Sequence, residues 1–297
     1  MDINKVNTKI LPVSFDYYAP SSIEELLSIL KREEEVVFLA GGTDLLVKMK
    51  QRIVEPKVVV SLNRISELSF IEEKEDGLHI GAVTKLRAIE KSDVVREKFP
   101  VLYWGVRAIG SVQIRNMGTI GGNLCNASPA ADSAPPLMVL NAELKTIGVE
   151  GERRIPINEF FVGPGKTVLK SKELLAEIKV PYLPPNSGTS FIKIARTSMD
   201  IAKINVAVMV RLENGRIGEC RIALGAVAPT PMRARKAEEF LTGKEVTDEN
   251  LRRAGEIVSK EIRPITDIRS TAEYRREVSK VLTYDALRIA IREASKE

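Results

Sequence analysis

Two stretches of the chain carry glycine pairs beside short polar side chains. The first is "FLAGGTDLLVKMK", in which Gly41 and Gly42 directly follow an apolar run and Thr43 and Asp44 come next. Glycines at a strand end let the backbone turn and expose consecutive N–H groups, which can hold a phosphate. A plain strand-to-loop turn has the same appearance. The second is "TIGGNLCNASPAAD", residues 119 to 132. Here Gly121 and Gly122 clear side chains from the path of a flat or charged ligand. Thr119, Asn123, Asn126 and Ser128 offer neutral donors and acceptors, and Asp132 can accept from sugar-like hydroxyls. That mixture suits a diphosphate joined to a polyol, held by backbone amides and hydroxyls rather than by a field of Lys and Arg. From the residues alone, the expectation is a phosphorylated cofactor or a sugar nucleotide.

Other chemistries have less to stand on. The dinucleotide spacing GxGxxG is absent from the first stretch. "GPGKT", residues 163 to 167, imitates the end of a P-loop, but the position five residues before Gly165 is Phe160 where that loop needs glycine. It reads as a tight turn. The single histidine, His79 in "GLHIGAVT", fits an alternating strand and has no triad partners nearby. Cys125 and Cys220 lie far apart with no CxxC, so cysteines of this chain alone do not ligate a zinc ion or an iron–sulfur cluster. The 45 basic and 40 acidic residues are interspersed, giving a net charge of +5 without a basic block, and nucleic-acid binding is not expected. Hydrophobic residues make up 44% and charged residues 29%, as in soluble globular proteins. No apolar run nears the ~20 residues of a membrane span, and "MDINKVNTKILPVSF" does not read as a signal peptide, so a cytoplasmic protein is expected.

The elements that must position these stretches follow from periodicity. Ser22 and Glu25 form a capping-box pattern ahead of Ile23, Leu26, Leu27 and Leu30, predicting an amphipathic helix. "VVFLAGG" and "KVVVSLN" predict buried strands on either side of the first glycine pair. Together they suggest a small α/β unit over roughly residues 1–60. From 66 to 180, strands such as "LHIGAVT" and "LKTIGVE" mix with a helix around "VREKFPVLYWGVRAIG". "VPYLPPNSG", with three prolines and a glycine, is the expected inter-domain connection. Beyond it, Asn214-Gly215 between alternating apolar runs predicts a hairpin. Helices are expected at about 233–242, 248–263 and 271–294, the last entered through a Ser270…Glu273 capping box.

Five ordered motifs then give a resemblance over nearly the whole chain. "AGGTDLL" (40–46), "QIRNMGTIGGNL" (113–124), "SPAADSAPPL" (128–137), "FFVGPGKTVLKSKELLAEIKVP" (160–181) and "IARTSMDIAKINVAV" (194–208) are joined by the C-terminal "RPITDIRSTAEYRREVSKVLTYDAL". Together they resemble the FAD-binding subunit or domain of the molybdenum hydroxylases. The resemblance implies a mixed α/β (α+β) fold: an FAD-binding domain over 1–180, with subdomains of about 1–60 and 61–180, and a C-terminal domain over 181–297 made of a three-stranded antiparallel sheet plus a helical cluster. It implies that Leu39, Ala40, Gly41, Gly42, Thr43, Asp44 and Leu45 form one FAD loop, and that Thr119, Gly121, Gly122 and Asn123 form the other. Asp132 matches an aspartate near the ribityl and phosphate region, with Asn126 and Ser128 in the same loop. Ile109 and Leu175 match apolar positions beside the flavin. Lys193 matches a lysine near the isoalloxazine ring, where its charge would stabilise the reduced flavin; read without the resemblance it is a solvated strand lysine. Asp200 is expected to order its loop.

In that family a molybdenum cofactor oxidises the substrate, [2Fe-2S] clusters relay electrons, and FAD passes them to an acceptor. The resemblance thus implies iron–sulfur and molybdenum-cofactor partner subunits, with NAD as the first expected acceptor and oxygen, a quinone or a carrier protein as others. A self-contained flavin oxidoreductase and a non-redox nucleotide-binding scaffold remain as alternatives.

Overall fold

The computed structural model describes residues 14–296. Most of the N-terminal stretch read above against a signal peptide lies outside the described residues. Among the described residues no helix is long and apolar enough to cross a membrane.

The chain opens with a three-stranded parallel sheet, β1 (Asp16–Tyr18), β2 (Val36–Leu39) and β3 (Val58–Ser61), in the order β1-β3-β2. Val58 to Ser61 are buried throughout, as a central parallel strand covered on both faces requires. α1 (Ile23–Arg32) makes the crossover and buries Leu26, Ile29 and Leu30. Ser22 caps it, its hydroxyl accepting from Glu25 N at 3.1 Å. The reciprocal half of the box is displaced by one residue: the Glu25 carboxylate accepts from Ser21 N at 2.7 Å, not from Ser22. α2 (Leu45–Lys50) follows the first glycine pair.

A second sheet is antiparallel, ordered β4-β5-β10-β6-β7. It contains β4 (Ile71–Lys74), β5 (Gly77–Gly81), β6 (Glu143–Gly148), β7 (Gly151–Pro156) and β10 (Glu173–Val180). β8 (Phe161–Gly163) and β9 (Lys166–Thr167) form a small hairpin, so the P-loop imitation is a turn. Between β5 and β6 run α3 (Leu86–Lys91), α4 (Asp93–Lys98), α5 (Pro100–Arg107), α6 (Val112–Met117), α7 (Ile120–Cys125) and α8 (Ala134–Val139). The helix expected around "VREKFPVLYWGVRAIG" is two, α4 and α5. Pro100 excludes helical backbone at Phe99, which takes φ −132° and ψ 54°. In β10 the register against β6 shifts between Leu175 and Glu177, leaving Ala176 as a bulge.

Residues 181–186 lead to the third sheet, β11 (Ser187–Ile194), β12 (Ile204–Glu213), β13 (Arg216–Gly225) and β14 (Met232–Arg233), antiparallel and in that order. The expected three strands are therefore four, because a two-residue edge strand shows no periodicity. Asn214 and Gly215, at φ 49° and 75°, make the hairpin turn between β12 and β13. α9 (Arg235–Leu241), α10 (Asp248–Glu261) and α11 (Ala272–Ala294) cover one face, against Val206, Val208 and Val210. The opposite face of β12 sends Ala207 and Met209 into the core of the second sheet's helices.

The cap of α11 is Thr271, whose hydroxyl accepts from Tyr274 N at 3.1 Å, not the expected Ser270. Serine is if anything the better cap, so the backbone decides. Thr271→Ala is expected to destabilise the fold by about 1 kcal/mol and Ser270→Ala by far less. Urea midpoints of the two variants, followed by far-ultraviolet circular dichroism, distinguish them.

Candidate functional site

A cleft of about 430 Å³ lies between the first and second sheets, and both glycine pairs open onto it. The first pair leaves β2 and enters α2. Among the described residues, the backbone N–H groups of Gly41, Gly42, Thr43 and Asp44 donate no intramolecular hydrogen bond. Leu46 N donates to Gly42 O, so Thr43 and Asp44 lie in the turn that begins α2, whose amides a helix start leaves open, and with Gly41 and Gly42 they form a concavity suited to an anion. Gly41 is required by close approach. A Cβ there would lie 2.3 Å from the Met117 carbonyl oxygen and 2.7 Å from Gly118 Cα.

The second pair is not the loop that its glycines suggest. Thr119 caps α7, its hydroxyl accepting from Gly122 N at 3.0 Å, so Gly121 and Gly122 occupy a helical first turn. Gly121 is buried against the second sheet, where a Cβ would lie 2.6 Å from both Ala82 Cβ and Ala82 O. Gly122 has only the Thr119 hydroxyl within range, at 2.8 Å from a Cβ built on it. Gly121 therefore sets the approach of α7 to β5, and Gly122 leaves the floor of the cleft open.

Of the residues singled out in the sequence, Ala40 to Leu45, Ile109, Thr119, Gly121, Gly122, Asn123, Asn126 and Leu175 line the cleft. The others do not. Leu39 ends β2. Ser128 turns back on its own backbone, accepting from Ala130 N at 3.3 Å. Asp132 and Lys193 are both buried and pair with each other at 2.7 Å, while Asp132 Oδ1 accepts from Asn205 Nδ2 at 2.7 Å. Lys193 is thus no solvated strand lysine. Burial pushes the Asp132 carboxyl above the usual carboxylate range, against the pull of Lys193 and Asn205. Asp200 accepts from Arg196 Nε at 2.9 Å and donates its own N–H to Thr197 O, ordering its loop.

Several residues with no local signal hold the cleft together. Asn126 spans it, accepting from Lys48 Nζ at 2.7 Å and donating to Asp44 Oδ1 at 3.1 Å. Among the described residues Lys48 is the one Lys or Arg that lines the cleft, and its trace in the sequence is its place four residues after Asp44. Asn63 donates to Ala40 O at 2.8 Å, and Lys85 donates to Met117 O at 3.1 Å and to Asn63 Oδ1 at 3.3 Å. That trio fastens the first glycine turn to the segment before α7.

At the β10 end of the cleft, the buried Glu173 accepts from the half-exposed Arg153, from the Thr146 hydroxyl and from Lys170 N at 2.8 Å. Burial alone would raise its carboxyl, but these partners outweigh it and hold it lowered from 4.5 to about 2. A depressed carboxylate stabilises the fold above its unfolded value, and that contribution is lost as pH falls through the folded one. Glu173→Gln is therefore expected to lose stability at neutral pH and to show a shallower acid decline between pH 4.5 and about 2 than the parent chain. Urea titrations at pH 7, 4.5 and 3 test this.

The donor set suits FAD. Unbonded amides with one nearby lysine fit a diphosphate, and the walls made by Val83, Leu86, Ile109, Ile114, Leu174 and Leu175 fit a planar ring system. The neutral hydroxyl and amide groups between them fit a polyol.

Comparison with known proteins agrees. Residues 13–183 match the family described as the FAD binding domain in molybdopterin dehydrogenase, and residues 189–290 match the CO dehydrogenase flavoprotein C-terminal domain. The chain is 35% identical over 277 residues to the glyceraldehyde dehydrogenase medium chain of Sulfolobus acidocaldarius, covering 93% of this chain and 98% of the relative. It is 32% identical over 278 residues to a putative xanthine dehydrogenase FAD-binding subunit of Escherichia coli, covering 93% and 95% respectively. Its fold superimposes on carbon monoxide dehydrogenase of Hydrogenophaga pseudoflava with a TM-score of 0.91 at 33% identity, over 95% of this chain and 99% of the other. With both of its sheet-bearing halves matched, the chain belongs to the FAD-binding medium subunits of the molybdenum hydroxylase family.

Proposed function

We propose that this chain is the FAD-carrying electron-transfer subunit of a heteromeric hydroxylase, taking electrons from an iron–sulfur subunit and passing them to an acceptor, NAD first among the candidates. The observation that carries the reading is the unbonded amides of Gly41 to Asp44 facing an apolar cleft. Bound FAD supplies the redox chemistry, accepting electrons singly or in pairs. The chain's own residues bind and orient it. The amides of Gly41 to Asp44 take the diphosphate, with the Lys48 charge close behind them. Gly122 leaves room at the capped turn of α7. Ile109 and Leu175 form apolar wall, which keeps water from the ring.

Partner subunits follow from what relatives are called and from what this chain lacks. Relatives are named as medium chains, which implies larger and smaller companions. Cys125 and Cys220 are free and separate, so the clusters belong on another chain. The relatives' names also differ in substrate, from glyceraldehyde to xanthine to carbon monoxide, at similar identity to this chain. Substrate choice is accordingly assigned to the molybdenum subunit.

The test is the visible absorption spectrum of the purified chain, with identification of the cofactor released on denaturation. Released FAD and co-purification with two further subunits are expected. A colourless chain that takes up no added FAD would end the proposal, and full substrate turnover by the lone monomer would end its heteromeric part. Anaerobic NADH is expected to reduce the bound flavin; if the flavin stays oxidised, NAD is not the acceptor.

A further inference from the structure

The turn between α5 and α6 is held by an arrangement that flavin binding alone does not call for. Three of its four carbonyl oxygens, those of Ala108, Ile109 and Gly110, are taken by buried cations. Lys193 Nζ donates to Ala108 O at 2.8 Å, and Arg115 Nη1 donates to Ile109 O at 2.9 Å and Gly110 O at 3.1 Å. Each cation is in turn fixed by a buried carboxylate. Lys193 pairs with Asp132, and Arg115 forks onto Glu90 through Nε at 2.8 Å and Nη2 at 3.2 Å. Arg115 and Lys193 side chains are each only 8% exposed.

Burying two ion pairs is a poor route to stability, because each ion gives up several kcal/mol of hydration and an apolar replacement of equal volume often does better. What such pairs do supply is a fixed conformation. The residue at the centre of this turn, Ile109, lines the cleft. Lys193 comes from β11, and the Asn205 that steadies Asp132 comes from β12, so one half of the fastening is contributed by the C-terminal sheet.

We propose that Lys193 and Arg115 are positioning residues for the cleft, locking the Ala108–Gly110 turn so that Ile109 stands in one place against the bound cofactor. The C-terminal domain thereby sets one wall of a site whose glycine turns lie wholly outside it. This rests on the reading of the cleft as the FAD site. It gives Lys193 a different task from supplying charge to the flavin, since its charge is already matched by Asp132.

The experiment uses the full chain with the double substitution Lys193→Met with Asp132→Asn, which removes the pair without stranding either charge, and Lys193→Arg as the conservative variant. Hydrogen exchange of the unliganded chain reads the lock directly. The amide of Ile109, which donates to Val106 O at 3.1 Å and shares its peptide group with the Ala108 carbonyl held by Lys193, is expected to exchange about tenfold faster in the double variant, as loss of one net hydrogen bond's worth of restraint implies, with β3 and α1 unchanged. FAD titration by fluorescence quenching reads its consequence: about tenfold weaker binding with an altered visible circular dichroism of the flavin, and Lys193→Arg within about threefold of the parent. Faster exchange with unchanged affinity and spectrum would overturn the proposal, as would a lowered melting temperature with neither effect. If the parent chain itself takes up no FAD, the cleft reading fails, while the exchange data still judge the lock.

Discussion

Gly41→Ala is expected to weaken FAD binding by at least about a hundredfold, which converts to ~2.7 kcal/mol. The added carbon would sit 2.3 Å from the Met117 carbonyl oxygen and 2.7 Å from Gly118 Cα, both backbone atoms. A side chain can rotate away from an intruder; a peptide group held by Lys85 at Met117 O cannot. The first glycine turn must therefore move, and the four amides move with it. Overpacking against backbone costs 1–3 kcal/mol or more, enough for the predicted loss. Gly122→Asp reaches the same endpoint by a different route. Its Cβ meets only the Thr119 hydroxyl, so the fold is expected to survive, but it brings a carboxylate to a site built for a diphosphate. Flavin content per chain after gel filtration, followed by titration of the stripped protein, measures both. Retained FAD in both variants would move the cofactor away from this cleft.

Phe99→Ala is expected to cost about 3–5 kcal/mol of stability. Phe99 is fully enclosed at the break between α4 and α5, and its ring stacks on Tyr182 with centroids 5.8 Å apart. Pro100 prevents the helix from closing over the gap, so the space left by the ring stays a cavity. Phe99→Leu refills part of it and is expected to cost about half as much. Trp104, the only tryptophan, sits in α5 and reports the unfolding of this region in urea through its fluorescence. Equal midpoints for the parent and the alanine variant would show that the core around Phe99 relaxes fully.

The strands flanking the first glycine pair and the Asn214-Gly215 hairpin were legible because their signals are local: valine runs, alternation and a turn dipeptide. The chemistry of the cleft was legible in kind, since glycine pairs beside neutral hydroxyls and amides point to a diphosphate ligand. Three features were hidden for physical reasons. Gly121-Gly122 reads as a loop because each glycine costs a helix about 1 kcal/mol, yet the Thr119 cap and packing over Ala82 override propensity. The capture of Asp132 by Lys193 and Asn205 joins residues 61 and 73 positions apart, and neither spacing leaves a mark in the chain. The same holds for Asn63 and Lys85, which lie 22 positions apart and act chiefly on the backbone carbonyl groups of Ala40 and Met117.

The bulge at Ala176 decides how the cleft can move. Before it, Leu174 and Ala176 pack with the helix and strands of the first sheet; after it, Ile178 and Val180 join Leu175 in the core of the second. One strand thus belongs to two cores, and the walls of the cleft are welded along it. Swinging the two halves apart would strip packing from one face of β10, so the walls of the cleft are expected to move together.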